Sequence, residues 1–173
     1  MFTHLIAMGV IGAAAEPAPP ADVGSLIAGA QRTVSPLQVP SSAPFRDNVP
    51  LGAYRWPAPM EPADRAPYAF DWSKIIGLNE KISEITRVTM CAAGAAVGVA
   101  IDNSTGRRPI ISDNGKAIQL WFLCLDAFQD NPVFSGNGVN ITVTCRVRTD
   151  ADPYKQFEPV SYTHLTLPTI CSV

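Results

Sequence analysis

The chain has 173 residues, of which 47% are hydrophobic and 16% are charged, and its formal net charge is −2. That length corresponds to about one ordinary domain, and the slight acidity lacks the basic excess typical of nucleic-acid-binding proteins. The two histidines, His4 and His164, lie near the two ends of the sequence. Catalytic and metal sites built on histidine are therefore excluded from the interior of the chain.

Proline divides the sequence into two parts. Eleven of the sixteen prolines lie in residues 1–67, and each removes a backbone donor and disfavours helix at the preceding residue. We therefore interpret residues 1–67 as an extended, Pro-rich arm and expect the compact domain to span residues 68–159. Apolar residues of the arm, among them Phe45 and Trp56, are expected to contact neighbouring subunits; the alternative is that the arm folds back on its own domain.

The first fifteen residues form a possible leader. Residues 5–15 are apolar and end in small residues, as in a signal peptide, although no Lys or Arg precedes them. This run is too short to span a bilayer, so no membrane association is expected. If the chain is exported, Asn103 and Asn140 begin glycosylation triplets, NST and NIT.

Two segments follow residue 69, and only the second is ambiguous between helix and strand. In FDWSKIIGLNEKISEITR (70–87), the three- and four-residue spacing of Ile75, Leu78, Ile82 and Ile85 predicts one short amphipathic helix facing the core. The next segment, RVTMCAAGAAVGVAID (87–102), is predicted to be a buried strand whose small residues allow close backbone approach, with a buried helix as the alternative.

The later segments carry clear strand patterns. Asn114-Gly115 lies between two apolar runs, which predicts a hairpin. Residues 117–126 are apolar on both faces, as in a central strand. Residues 139–149 alternate strictly between apolar and polar side chains, so we predict a half-buried strand. Together these patterns predict a mainly β domain, an antiparallel β-sandwich with one short helix.

The last fourteen residues, VSYTHLTLPTICSV (160–173), contain no Asp, Glu, Lys or Arg. They resemble the translation of a sequencing adaptor, so we leave them out of the predicted fold as a non-native tail. On this interpretation the natural C-terminus differs from the one given. The alternative is a genuine short edge strand followed by a proline break.

Few residues offer chemistry. Cys91, Cys124 and Cys145 are isolated in apolar patterns and are expected to be buried thiols, so neither a metal site, a cofactor nor an enzymatic activity is predicted. Arg146 and Arg148 share the polar face of one predicted strand, where they are solvated charges or contact RNA phosphates or a neighbouring subunit.

The order of elements over residues 68–150 resembles a known class. A helix such as NEKISEI, followed by strands such as KAIQLWFLCLD and GVNITVTCRVRTD, resembles the closing part of a viral jelly-roll coat protein of the picorna-like or tymovirus-like kind. The resemblance implies an incomplete jelly roll, a self-assembling structural subunit, a virion location and related coat subunits as partners. Genomic RNA is a further implied partner without support from charge, because residues 1–67 hold four Arg against five acidic residues. The alternative is an exported β-sandwich domain for binding or adhesion.

Overall fold

The structure, a computed structural model, describes residues 20–35, 53–135, 138–158 and 160–165. Within these residues the chain forms eleven strands and one α-helix. The elements are β1 Asp22–Gly24, β2 Thr33–Val34, β3 Ala53–Arg55, β4 Ala66–Asp71, β5 Ile82–Met90, α1 Ala92–Ala96, β6 Val99–Ile101, β7 Ile110–Ser112, β8 Ala117–Cys124, β9 Val139–Thr149, β10 Gln156–Phe157 and β11 Val160–Leu165. The mainly β class agrees with the sequence prediction; one short helix is present, but it lies at Ala92–Ala96 and not in the segment where a helix was predicted.

The strands form two sheets. Sheet one has the order β1-β7-β8-β4-β2, and β6 also pairs with β8. Sheet two has the order β10-β9-β11-β3, and β5 also pairs with β9. Buried side chains from both sheets belong to one hydrophobic core cluster. Most pairs are antiparallel, as predicted, but β1, β2 and β3 are each parallel to their partners β7, β4 and β11.

The central strand and the hairpin are confirmed. β8 pairs with β4 on one side and with β7 and β6 on the other. The turn between β7 and β8 contains Asn114 and Gly115, and Gly115 has a positive φ of 66°. A Cβ at Gly115 would lie 2.5 Å from the Cβ of Lys81, so this turn needs glycine for both backbone conformation and space.

The alternation in β9 is also confirmed. Ile141, Val143, Cys145 and Val147 are fully buried, whereas the intervening residues are exposed or half-buried. All of β5, from Ile82 to Met90, pairs with residues 143–149 of β9. β9 is therefore the strand around which sheet two is organised.

The predicted helix at 70–87 is wrong, because this segment contains the end of β4, a loop and most of β5. The register of β5 against β9 shifts between Ile82 and Glu84 and again between Ile85 and Arg87. Each shift inserts one extra residue, so apolar residues three apart can face the same core. The bulged strand thus produces the spacing that normally indicates a helix.

The segment at 87–102 was predicted to be a buried strand, with a buried helix as the alternative, and it contains both strand and helix. It contains the end of β5, then α1, then β6, where a single buried strand was expected. Close approach does occur at Gly94, where a Cβ would lie 2.9 Å from Ile141 Cγ2. Gly98 has a φ of +77° and faces Phe128, so this glycine allows both an unusual backbone conformation and a close contact.

Parts of the Pro-rich arm belong to the core, which corrects the boundary at residue 67. Trp56 is 1% exposed, Met60 is fully buried, and β4 already begins at Ala66. The Trp56 ring packs edge-on at 5.2 Å from Tyr68 and 5.1 Å from Phe70, and its Nε1 donates to Ala69 O at 3.0 Å. The described parts of the arm therefore fold back on their own domain.

The exclusion of residues 160–173 from the fold is corrected for residues 160–165. These form β11, which pairs with β9 from Val160 opposite Thr144 to Leu165 opposite Val139, and with β3 on its other side. A strand at this place is the alternative that the sequence left open, although it is internal to sheet two instead of at an edge. Residues 160–165 therefore contribute to sheet two.

Candidate contact surfaces

The two arginines selected from the sequence lie on the polar face of β9, and carboxylates of the same chain neutralise both. Arg146 Nε and Nη2 both donate to Glu158 Oε2, at 2.9 and 2.5 Å. Arg148 forms an ion pair with Glu84, and its guanidinium lies over the Tyr154 ring at 5.6 Å from the centroid. An RNA phosphate at either position would have to compete with a carboxylate that is already in place.

A third arginine on this face was not singled out from the sequence. Arg87 of β5 lies opposite Arg146 in the register, and its Nε donates to Thr89 Oγ1 at 3.0 Å. Arg87 and Arg146 are brought together only by the pairing of β5 with β9. Residue spacing in the sequence therefore could not have identified Arg87 as part of this face. The local balance is three arginines against Glu84 and Glu158, a small positive excess.

The other two residues selected as contacts, Trp56 and Phe45, cannot be assigned to an exposed surface. Trp56 lies in the aromatic core of its own chain. Phe45 lies outside the described residues. Trp56 was predicted to contact a neighbouring subunit, but the rings that pack against it belong to β4 and β8 of the same chain.

Exposed apolar side chains form a group at one end of the sheets. Leu78, in the loop between β4 and β5, is 97% exposed, and Tyr154, in the loop after β9, is 63% exposed. The two loops are joined by Lys155 Nζ, which lies 2.9 Å from Glu80 Oε2, and by Lys81 N, which donates to Asp150 Oδ1 at 2.7 Å. We call Leu78 and Tyr154 the first-end group.

Exposed and half-buried polar contacts fix the turn that carries Leu78. Glu80 N donates to Gly77 O at 3.0 Å, and Lys116 Nζ donates to the carbonyl oxygens of both Gly77 and Glu80. Hydrogen bonds from Thr149 and Lys155 lower the pKa of the buried Glu80 carboxyl, although burial acts in the opposite direction. Glu80 Oε2 also accepts from Gly77 N at 3.3 Å, so the carboxylate helps to hold the backbone of the turn that carries Leu78.

A second group lies at the opposite end, in the connection between β8 and β9. Leu125 is 47% exposed, Phe128 is 37% exposed and Val133 is 39% exposed. The first-end group lies near the start of β8 and the end of β9. The second connection joins the end of β8 to the start of β9, so it lies at the opposite end of the sheets. We call Leu125, Phe128 and Val133 the second-end group.

A buried carboxylate organises the loop after β6. Asp102 is 3% exposed; its Oδ1 accepts from Ser104 N at 3.0 Å, and its Oδ2 lies 3.6 Å from Arg107 Nη1. Burial raises the pKa of Asp102, but hydrogen bonds from Ser104 and the charge of Arg107 outweigh it, so the pKa is lowered overall. Arg107 also lies over the Trp121 ring, and the cluster holds this loop against sheet one.

A metal-binding cluster or a reactive thiol among the described residues would indicate a site for chemistry. No group of three or more His, Cys, Asp or Glu side chains there is arranged to hold a metal ion. Cys91, Cys124 and Cys145 are free thiols; Cys124 and Cys145 are buried as predicted, whereas Cys91 is only half-buried. Burial raises the pKa of Cys124 and of Cys145, so both thiols are protonated and poorly nucleophilic at neutral pH.

Comparisons with known proteins add no relative. No family model, no curated protein and no solved structure matches this chain. None of the helices in the described ranges has the length and apolar character needed to cross a membrane. Inferences about function therefore depend on the geometry given above.

Proposed function

We propose that the protein is a structural subunit of a self-assembling particle, of the viral coat type, in which two sheets form a jelly-roll-like β-sandwich. The observation that carries this proposal is the presence of exposed apolar groups at both ends of the sheets. A subunit with several neighbours needs contact surfaces on more than one side, whereas an isolated domain gains nothing from exposing them.

The first-end group supports this proposal most directly. Leu78 is almost fully exposed on a turn that three polar contacts hold in place. Because the backbone of this turn is already held, association would cost little beyond the conformational entropy of the Leu78 side chain. In the proposed particle, Leu78 and Tyr154 are covered by a neighbouring subunit.

The experiment compares particle formation by matched variants of this turn. Leu78→Ser removes the exposed apolar side chain and should reduce the assembled fraction, as measured by light scattering and electron microscopy. Asn79→Ser changes the adjacent, exposed residue of the same turn and should leave assembly unchanged. Equal assembly by both variants would remove Leu78 from the interface, and equal loss would show that the turn matters through its fold.

RNA is not required by this proposal. Arg146 and Arg148 already form ion pairs with Glu158 and Glu84. In an assembled particle the two arginines could instead pair with carboxylates of a neighbouring subunit, so they need not contact RNA. The nucleic-acid content of purified particles distinguishes contact with RNA from contact with a neighbouring subunit. It is measured by the ratio of absorbance at two wavelengths before and after nuclease treatment. Arg146 and Arg148 contact RNA only if their replacement lowers that content.

An exported binding or adhesion domain is the second candidate, because the acceptor asparagine of each glycosylation triplet is exposed. Asn103 lies in the loop after β6 and Asn140 lies near the start of β9, and both are exposed. Expression through a secretory pathway should then add glycan mass that Asn103→Gln reduces. N-terminal sequencing of the secreted chain shows whether residues 1–15 are removed; an intact, unglycosylated chain would contradict this candidate.

A further inference from the structure

Residues 22–28 lie across sheet one, and we call this segment the strap. It begins with β1, which runs parallel to β7 with Asp22 opposite Ile110 and Gly24 opposite Ser112. Ser25 Oγ then donates to Asp113 Oδ2 at 2.9 Å. The strap thus joins the sheet as an extended segment, mainly through polar and backbone contacts.

A buried glutamine of the central strand binds the end of the strap. Gln119 is fully buried, and its Oε1 accepts from both Ile27 N and Ala28 N at 2.8 Å. Because both partners are donors, the oxygen must face the strap, and Gln119 Nε2 is left buried without a hydrogen-bond partner. A glutamine in an otherwise apolar strand therefore serves to recognise two successive backbone N–H groups, which only a polypeptide supplies in this arrangement.

The strap is held far less firmly than the chain that follows it. No residue of the strap is buried, and its apolar residues Val23 and Ile27 are 72% and 67% exposed. A cleft of about 330 Å³ lies beside Ser25 and Leu26, so packing against the sheet is incomplete. The unpaired Gln119 Nε2 also disfavours the closed arrangement, because it can hydrate when the strap leaves.

The following residues form a firm anchor. Val34 is 5% exposed, Arg32 forms an ion pair with Asp64 at 3.1 Å, and Gln31 O accepts from Ala58 N at 2.8 Å. Gly29 separates strap from anchor, is exposed, and has no atom within 4 Å of the place a Cβ would take. Local opening of the strap around Gly29 therefore needs no disruption of the core.

We propose that the β7 edge and Gln119 form a binding site for an extended polypeptide segment, and that the strap of a second copy can occupy it in place of the chain's own. An identical segment makes identical hydrogen bonds, so exchange between two copies has little net cost once the strap has opened. This inference goes beyond the proposed particle, because it requires only two copies in solution.

Thiol crosslinking between two variant chains tests the exchange. One chain carries Ser25→Cys and the other carries Asp113→Cys, each with Cys91→Ser and Cys171→Ser, and the two chains bear tags of different mass. A short thiol-to-thiol crosslinker can join them only if the strap of one copy lies on sheet one of the other. We expect a mixed dimer on a denaturing gel, with a yield that rises with protein concentration.

Controls make each outcome decisive. Ser25→Cys mixed with Asp152→Cys places the second thiol at an exposed residue after β9 and gives the background from random collision. The double variant Ser25→Cys/Asp113→Cys should crosslink within one chain, and this should abolish exchange with other copies. Adding Gln119→Met should speed formation of the mixed dimer by about tenfold, because two hydrogen bonds that hold the strap closed are lost.

Two results would overturn the proposal. A mixed dimer no more abundant than the Asp152→Cys background, while the double variant crosslinks internally, would show that the site accepts only its own strap. Failure of the double variant to crosslink at all would show that the strap does not lie beside Asp113. Particle formation is not measured here, so the proposed particle can fail without affecting either result.

Discussion

β5 and β9 are neighbours in one sheet, and their sequences indicate their structures very differently. β9 alternates between apolar and polar residues without interruption, and the burial of its side chains follows that alternation. β5 bears its apolar residues Ile82, Ile85 and Val88 three apart, because two bulges interrupt its register against β9. A period of two indicates a strand reliably only where the ladder is regular.

The largest expected effect lies in β9, where the alternation separates buried from half-buried positions. Val143→Asp places an unpaired charge in the core, which costs several kcal/mol against a total stability of about 5–15 kcal/mol, so the domain should unfold. Thr144→Asp, at the next and half-buried position, should be mild. Circular dichroism with urea titration measures both. Similar damage from the two variants would mean that both faces of β9 are covered.

The second effect concerns the other neighbour of β9. A chain ending at residue 158 lacks β11, so six backbone pairings of β9 are lost and β3 loses its partner. We expect a fall in melting temperature of about 2–4 °C for each kcal/mol lost in a chain of this size. A chain ending at residue 165 is the matched control and should melt as the full chain does. An unchanged melting temperature in both chains would remove β11 from the folded domain.

A smaller effect should follow from changes at the bulges of β5. Ser83 Oγ and Thr86 Oγ1 each donate to a backbone carbonyl of β9, those of Arg148 and Arg146, at 3.2 Å. Thr86→Val keeps the shape of the side chain and removes the hydroxyl, so it should cost about 1 kcal/mol. Thr89→Val, in the regular part of β5, is the control, because the Thr89 hydroxyl accepts from Arg87 Nε of the same strand and does not donate to a carbonyl of β9. Equal cost at Thr86 and Thr89 would contradict a special role for the bulge.

The smallest effect is a dependence of stability on pH through Glu80. The pKa of this carboxyl is lowered in the folded chain, so its contribution is fully present above its unfolded value and is lost as the pH falls through the folded pKa. Glu80→Gln should therefore flatten the acid side of the stability curve, below about pH 4.5. Urea titrations at several pH values measure this; an unchanged acid slope in the variant would contradict it.

The sequence predicted those parts of the fold whose patterns are local. The hairpin at Asn114-Gly115, the central strand β8 and the buried thiols of Cys124 and Cys145 each follow from a short, regular stretch of sequence. It could not predict that Trp56 lies in the core, because the covering residues come from β4 and β8. Long-range pairing also decides the positions of β1, β2 and β3, whose short sequences carry no strand signal.

The contact surfaces show the same limit. The sequence identified Arg146 and Arg148 through their alternation, but Glu158 and Glu84 become their partners only through the chain reversal after β9 and through pairing with β5. Leu78 was expected on the core face of a helix, yet it is 97% exposed because the segment forms a turn. Gln119 carried no signal at all, since its two partners lie about 90 residues earlier in the chain.

The mass of the purified chain in solution, measured by light scattering after size-exclusion chromatography, tests the proposed particle most directly. If apolar groups at both ends of the sheets are contact surfaces, the chain should associate into species many times heavier than its own 18.5 kDa. Those species should be lost on replacing Leu78 with serine and kept on replacing Asn79. A monomer of 18.5 kDa over the whole concentration range would contradict the proposed role as a structural subunit.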